Sequence, residues 1–206
     1  MPRKRNNLQT ELLTSIQLVK EADFRNRKIS LFDCGHQDLN DFIRNDAWHY
    51  KKHLLAETYL IYPTETYKRR KRDPIAFISL CNDSIPMEIE ERKGDKKPFF
   101  KAAIQKNLPN KKRFFQSYPA VKIARLGVSV NSQGGGVGSG ILNMFKRLFL
   151  TNNRTGCLFI TVDANNIPET IKFYKKNGFI TLWPKDRKHK TRIMWFDLSN
   201  HLITND

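Results

Sequence analysis

Residues Gln133-Gly134-Gly135-Gly136-Val137-Gly138-Ser139-Gly140 place five glycines in eight positions. Such a stretch has little side chain and much accessible backbone N–H. Where it opens a helix, it can hold phosphate. Two standard phosphate motifs fail on spacing. A Walker-type loop needs Gly-Lys and then Ser or Thr, and no Lys follows these glycines. A dinucleotide fingerprint needs Gly-x-Gly-x-x-Gly. Counting from Gly134 and Gly136 puts Ser139 at the third place, and counting from Gly136 and Gly138 puts Ile141 there. A Gly-rich hinge is the plain alternative. Elsewhere, His49 and His53 are four apart, a spacing that could hold a metal. They lack an adjacent Glu and a third ligand, so they read as surface histidines and no metal is expected. Cys34, Cys81 and Cys157 are scattered, odd in number and without metal-type spacing. They read as buried structural thiols in a reduced, cytoplasmic setting.

The elements around the glycines are legible. Before them, Leu126, Val128 and Val130 alternate with Arg125, Gly127 and Ser129, which predicts a strand with one face buried. After them, Ile141, Leu142, Phe145, Leu148 and Phe149 form one helical stripe, predicting a helix from near Gly136 to Thr151–Asn153. Its first N–H groups lack intrahelical partners and carry the positive end of the dipole. Upstream, residues 12–20 read as a first strand. Asp38 is a candidate N-cap for a helix whose stripe is Leu39, Phe42, Ile43, Ala47 and Tyr50. Thr58–Tyr62 and Pro74–Asn82 read as strands, with a basic hairpin or loop over Pro63–Asp73 between them. Downstream come a strand at Leu158–Asp163 and a helix with Pro168 in its first turn and Gly178 at its C-terminal cap. Thr181–Trp183 and Ile193–Leu198 close the sheet, joined by a basic hairpin, Lys185–Arg192. Residues 83–119 are charged, proline-rich and weakly periodic apart from a helix over Phe99–Lys106. They read as an insertion in one domain spanning residues 1–206.

The whole chain adds a constraint on partners. Its 37 Lys and Arg against 20 Asp and Glu give a formal charge of +17 over 206 residues. The charge clusters at Lys68–Arg72, from Arg92 to Arg113 and from Lys172 to Arg192. One such run is usually a solvated face, but three in one small domain favour a polyanionic partner. No apolar run approaches a membrane span, and Met1–Arg5 is not followed by a signal-peptide core.

Gln133-x-x-Gly136-x-Gly138 resembles the pyrophosphate loop of the GNAT superfamily of acyl-CoA N-acyltransferases, whose signature is Gln/Arg-x-x-Gly-x-Gly/Ala. A second match follows in order: Leu158–Ala164, and then Phe173-Tyr174-Lys175-Lys176-Asn177-Gly178-Phe179, resemble the family's fifth strand and its Phe-Tyr-x-x-x-Gly-Phe helix. The resemblance covers roughly Val121–Phe179. It implies an α/β (α+β) fold: a mixed, mostly antiparallel sheet with splayed central parallel strands, flanked by helices. It also implies acetyl-CoA as co-substrate. The N–H groups of Gly134, Gly135, Gly136, Val137, Gly138 and Ser139, with Gln133, would hold the pyrophosphate. Backbone over Gly127–Val130, with Val128 at the acetyl carbonyl, would pair with the pantetheine arm, the small Gly127 permitting close approach. Asn166, one residue off the place where relatives carry Asn, is the candidate for the CoA amide. Tyr174 would protonate the departing thiolate. No general base stands out among Glu57, Asp83 and Glu88.

Phe32-Asp33-Cys34-Gly35-His36-Gln37-Asp38-Leu39-Asn40-Asp41-Phe42-Ile43 gives a finer clue. It resembles the opening of bacterial toxin-type members, where Phe-x-Cys-Gly precedes an acidic-hydrophobic helix; Arg125-Leu126-Gly127-Val128 resembles their Arg-Leu-Ala-Val. Those enzymes acetylate the α-amino group of aminoacyl-tRNA, which fits the charge. The partners expected are tRNA or another polyanion through the basic clusters, an antitoxin, and a second copy of the chain as a homodimer. Two alternatives stay open: an enzyme acting on a protein or small-molecule amine, and a non-catalytic CoA- or RNA-binding module.

Overall fold

The computed structural model describes residues 15–18, 29–62, 73–86, 117–151, 155–183 and 185–199. Its strands are β1 (Ser15–Leu18), β2 (Glu57–Tyr62), β3 (Ala76–Pro86), β4 (Ser117–Val128), β5 (Phe159–Asn165), β6 (Ile180–Thr181) and β7 (Thr191–Asp197). Its α-helices are α1 (Gln37–Asp41), α2 (Ala47–Lys52), α3 (Val137–Thr151) and α4 (Pro168–Lys176). The chain forms two compact units, Met1–Cys81 with Ile123–Arg147 and Asn82–Lys122 with Leu148–Asp206. Strands β3 and β4 and helix α3 each run from one unit into the other.

In the first unit the strand order is β1-β2-β3-β4, and β2 pairs antiparallel with both β1 and β3. Its core gathers Ile29, Phe32, Cys34, Phe42, Ile43, Ala47, Leu60 and Phe77. The stripe read from the sequence is the buried one: Phe42, Ile43 and Ala47 are inside, and Leu39 and Tyr50 pack against them. The helix it predicts is not uniform, because a π-helical turn at Phe42–Asp46 joins α1 to α2. The extra residue keeps Phe42, Ile43 and Ala47 all on the core side. His36, not Asp38, is the N-cap, and no side chain caps the helix; Asp38 lies in the first turn, where an acid complements the dipole.

Strand β4 departs from its reading in a second way. The residues fully buried near its end are Ile123 and Gly127, while Leu126 and Val128 are only half-buried. Two contacts turn the strand this way. The Arg125 guanidinium lies 3.9 Å from the centroid of the Phe42 ring and 5.2 Å from that of Tyr50, a cation–π stack that lets a cation share the inner face. The Phe77 ring occupies the space a side chain at Gly127 would need.

In the second unit the order is β4-β5-β7-β6. Leu158 N–H donates to Pro119 C=O at 2.9 Å, and Lys122 pairs with Asp163 at 2.6 Å, so β4 and β5 advance together and are parallel. Strand β7 is antiparallel to both β5 and β6. Ile85, Tyr118, Ala120, Phe159 and Trp195 form the core here. Of the expected insertion at 83–119, Asp83–Pro86 continue β3 and Ser117–Pro119 begin β4. Residues 87–116, including the expected helix over Phe99–Lys106, lie outside the described residues, as do most of the loop over Pro63–Asp73 and Glu88. No described helix is long and apolar enough to cross a membrane.

Candidate functional site

The glycine loop sits in the first unit, at the start of α3. A short 3-10 turn, Val130–Ser132, follows β4, and the loop runs from Gln133 to Gly136 before the helix begins at Val137. Gly134 and Gly136 have φ of +77° and +83°, a left-handed backbone that glycine adopts without steric cost. Backbone of this kind forms nests of N–H groups that bind anions. The first bond of the helical ladder runs from Gly140 N–H to Gly136 C=O at 2.9 Å. The N–H groups of Val137, Gly138 and Ser139 precede it at the positive end of a 15-residue helix. A side chain at Gly134 would meet nothing within 4 Å, so the loop's outer side is open.

What fixes this loop is a second turn, Phe32–His36, and the link between them is polar. Buried Asn40 organises the turn: its Oδ1 accepts from Cys34 N–H at 2.9 Å and from the Cys34 thiol at 3.2 Å, and its Nδ2 donates to Asp33 Oδ1 at 2.8 Å. The same Asp33 oxygen accepts from Gly35 N–H at 2.8 Å, and these donors lower its pKa. Burial pushes the Cys34 thiol up, so it stays protonated and can donate. Val130 N–H then donates to Asp33 C=O at 2.9 Å. Gln133 spends both Nε2 hydrogens, on Cys34 C=O at 3.0 Å and Val128 C=O at 2.9 Å. Gln133 therefore braces the loop, with only its oxygen left for a ligand. The sequence reading missed Asn40, because its partners are six and seven residues away and only the folded turn brings them together.

Tyr174 lies in the second unit, on α4. Pro168 occupies the first turn with Glu169, as the sequence reading has it. At the other end Gly178 has φ +80°. Gly178 N–H donates to Lys175 C=O and Phe179 N–H to Tyr174 C=O, each at 3.0 Å. This is the Schellman arrangement, in which the residue past the glycine packs on the residue whose carbonyl it caps. Phe179 does so, its ring 5.4 Å from that of Tyr174. The Phe173 ring also packs edge-on with it, at 5.1 Å. The Tyr174 ring is buried, and burial pushes its pKa well above the usual phenol range. No hydrogen bond among the described residues takes up its hydroxyl.

Several other residues have roles the sequence did not show. Gly127 gives room to Phe77, since an added Cβ would lie 2.5 Å from that ring. The expected pairing over Gly127–Val130 loses two donors: Ser129 N–H bonds to Ile75 C=O at 2.8 Å, and Val130 N–H to Asp33. Asn166 faces the basic hairpin, its Nδ2 donating to Arg187 C=O at 2.9 Å and His189 C=O at 2.8 Å. Only its oxygen remains for a CoA amide. Among the base candidates, Glu57 pairs with Lys51 at 3.2 Å and Asp83 accepts from the Thr161 hydroxyl. His49 and His53 are exposed, and no group of three or more His, Cys, Asp or Glu occurs among the described residues.

Solved structures share this fold over nearly the whole chain. AtaT complexed with acetyl-methionyl-tRNAfMet matches with a TM-score of 0.63 and 20% identity, covering 92% of this chain and 97% of that one. A tyrosine-to-phenylalanine mutant of KacT matches at 0.64 and 18%, covering 90% and 95%. AtaTR bound with AcCoA matches at 0.62 and 19%, covering 92% and 96%. No protein-family model and no curated protein sequence matches the chain. The expected fold is thus the observed one: a GNAT fold, shared with AtaT and KacT.

Proposed function

We propose that the protein is an acetyl-CoA-dependent N-acetyltransferase of the toxin type, acting in the cytoplasm on the α-amino group of aminoacyl-tRNA. The observation that carries the transferase reading is Tyr174, a buried phenol held by a helix cap and flanking rings with its hydroxyl uncommitted. Burial keeps that phenol protonated across the working pH range. The N–H groups of Val137, Gly138 and Ser139 at the start of α3, after the left-handed turns at Gly134 and Gly136, would form a cradle for the CoA pyrophosphate.

In this reading the neutral amine attacks the thioester carbonyl. A backbone N–H near Val128 stabilises the oxyanion. As the C–S bond breaks, Tyr174 hands its proton to the thiolate and later regains one from solvent, while the amine's surplus proton leaves to water. The acceptor comes by likeness: AtaT has been solved with acetyl-methionyl-tRNAfMet, AtaTR with AcCoA, and an AtaT mutant with the C-terminus of the antitoxin AtaR. The charge of +17 supports the same acceptor. An antitoxin partner for this chain follows from the same likeness.

The test is release of free CoA and formation of N-acetyl-aminoacyl-tRNA when the protein meets acetyl-CoA and charged tRNA. Acetylation of free amines or peptides with charged tRNA untouched would remove the toxin reading. Binding of acetyl-CoA with no turnover on any amine would remove the enzyme.

A further inference from the structure

We infer that a groove on the second unit, between α4 and the basic hairpin after β6, is a track for the phosphate backbone of RNA. The groove has a volume of about 760 Å³. Lys172, Lys175, Lys176, Arg187 and Arg192 line it, over a floor that includes Ile167 and Ile171.

Arg192 is already spent: its Nε meets Asp186 Oδ1 at 2.9 Å, and its Nη2 bonds to Trp183 C=O. The other four cations are exposed, and none has a carboxylate partner among the described residues. Lys172, Lys175 and Lys176 stand three and four apart, so they share one helix face. Like charges held together repel, and a bound polyanion relieves that repulsion.

The opposite wall is built rather than loose. Asn166 makes three hydrogen bonds to the hairpin backbone: from its Nδ2 to Arg187 and His189, and from its N–H to Lys190 C=O at 2.9 Å. From the other side, buried Asp186 accepts from Ile193 N–H at 2.9 Å as well as from Arg192. The protein thus uses its polar groups to fix the hairpin while leaving the outward cations uncompensated. A shallow, cation-walled groove with a partly apolar floor suits a nucleic-acid strand, with phosphates on the walls and sugars or bases over Ile167 and Ile171. The inference rests on the proposed acceptor and says where that acceptor is gripped.

The test compares two fourfold variants of the full chain. One removes the groove cations (Lys172→Ala, Lys175→Ala, Lys176→Ala, Arg187→Ala). The other removes as much charge elsewhere (Lys68→Ala, Arg69→Ala, Arg70→Ala, Lys71→Ala). Uncharged tRNA binding is titrated over a range of salt, and acetyl-CoA binding is measured in parallel. The groove variant is expected to lose about tenfold to a thousandfold in tRNA affinity and to flatten the log-affinity against log-salt slope by about 2 to 4, with acetyl-CoA affinity kept. Equal losses in both variants overturn the inference, as does an unchanged slope. Loss of acetyl-CoA affinity with tRNA affinity intact also overturns it and gives the groove to the nucleotide. If wild-type protein acetylates charged tRNA and the groove variant does so equally well, the groove fails while the acceptor stands. If charged tRNA is not acetylated but the groove variant alone loses tRNA binding, the acceptor fails while the groove stands.

Discussion

Around the glycine loop, position is set by hydrogen bonds. Asn40 ties three groups of the Phe32–His36 turn, and Gln133 and Val130 N–H tie that turn to the loop. Around Tyr174, position is set by packing: a Schellman cap brings Phe179 against the ring, and Phe173 packs on it as well. The difference follows from what each would present in the proposed reaction. A loop that offers its backbone to an anion has few side chains to pack, so neighbouring polar groups must hold it. A phenol that offers only a hydroxyl can be gripped by its whole ring. Damage should follow the same division, with changes near the loop felt in co-substrate affinity and changes at the ring felt in turnover.

The largest effect belongs to Tyr174→Phe. The ring and its contacts survive, and only the proton is removed. Turnover should fall by on the order of tenfold to a thousandfold, acetyl-CoA affinity should hold, and stability should change by less than about 1 kcal/mol. Calorimetric binding beside single-turnover rates separates these, and an unchanged rate removes Tyr174 from the chemistry.

Next is Gly127→Ala. Its Cβ would sit 2.5 Å from Phe77, so the core must shift, at a cost of roughly 1–3 kcal/mol. Adding Phe77→Leu should recover part of the loss, because the conflict is with that ring. A double variant no more stable than Gly127→Ala alone would show that the strain lies elsewhere. Gln133→Leu is milder. It strips Cys34 C=O and Val128 C=O of their shared donor, at about 1–2 kcal/mol. It should raise KM for acetyl-CoA while leaving kcat nearly constant. A fall in kcat with KM constant would blur the division between the two regions.

This contrast also explains what the sequence could say. The loop, α3 and α4 were legible because their signals are local: glycine spacing, a 3.6-residue stripe, Pro168 at a start and Gly178 at an end. The antiparallel hairpins and the parallel step from β4 to β5 followed from element order and the family's pattern. Asn40 was not legible, since nothing marks one Asn in a helix as the centre of a buried polar knot. The inward turn of Arg125 and the Phe77 ring against Gly127 were hidden for the same reason, being contacts between elements distant in sequence. The two bonds from the Asn166 amide to the hairpin backbone were hidden in the same way, since the hairpin lies more than twenty residues on. The charge run from Lys172 to Arg192 was visible, but that it forms two walls of one groove was not.

The smallest expected effect sharpens the comparison through pH. Lys146 in the first unit and Tyr174 in the second are both buried, and burial favours the neutral form of each. Lys146 on α3 is pushed down from 10.5 to about 8, and Tyr174 is pushed up from 10. Between pH 8 and 10.5 the unfolded chain keeps a proton on Lys146 that the folded chain has released, so this group makes stability rise with pH. The gain is complete above the unfolded value and lost as pH falls through 8. With solvent still reaching the amine, its size is on the order of 1 kcal/mol. For Tyr174 the sign reverses: the contribution is full below pH 10 and is lost as pH rises above it, because the unfolded phenol ionises first. Denaturant midpoints of Lys146→Met and wild type should converge between pH 8 and 10, with the variant more stable at neutral pH. Those of Tyr174→Phe should separate from wild type only above pH 10. If the two variants show the same pH profile, burial is not what distinguishes the two groups.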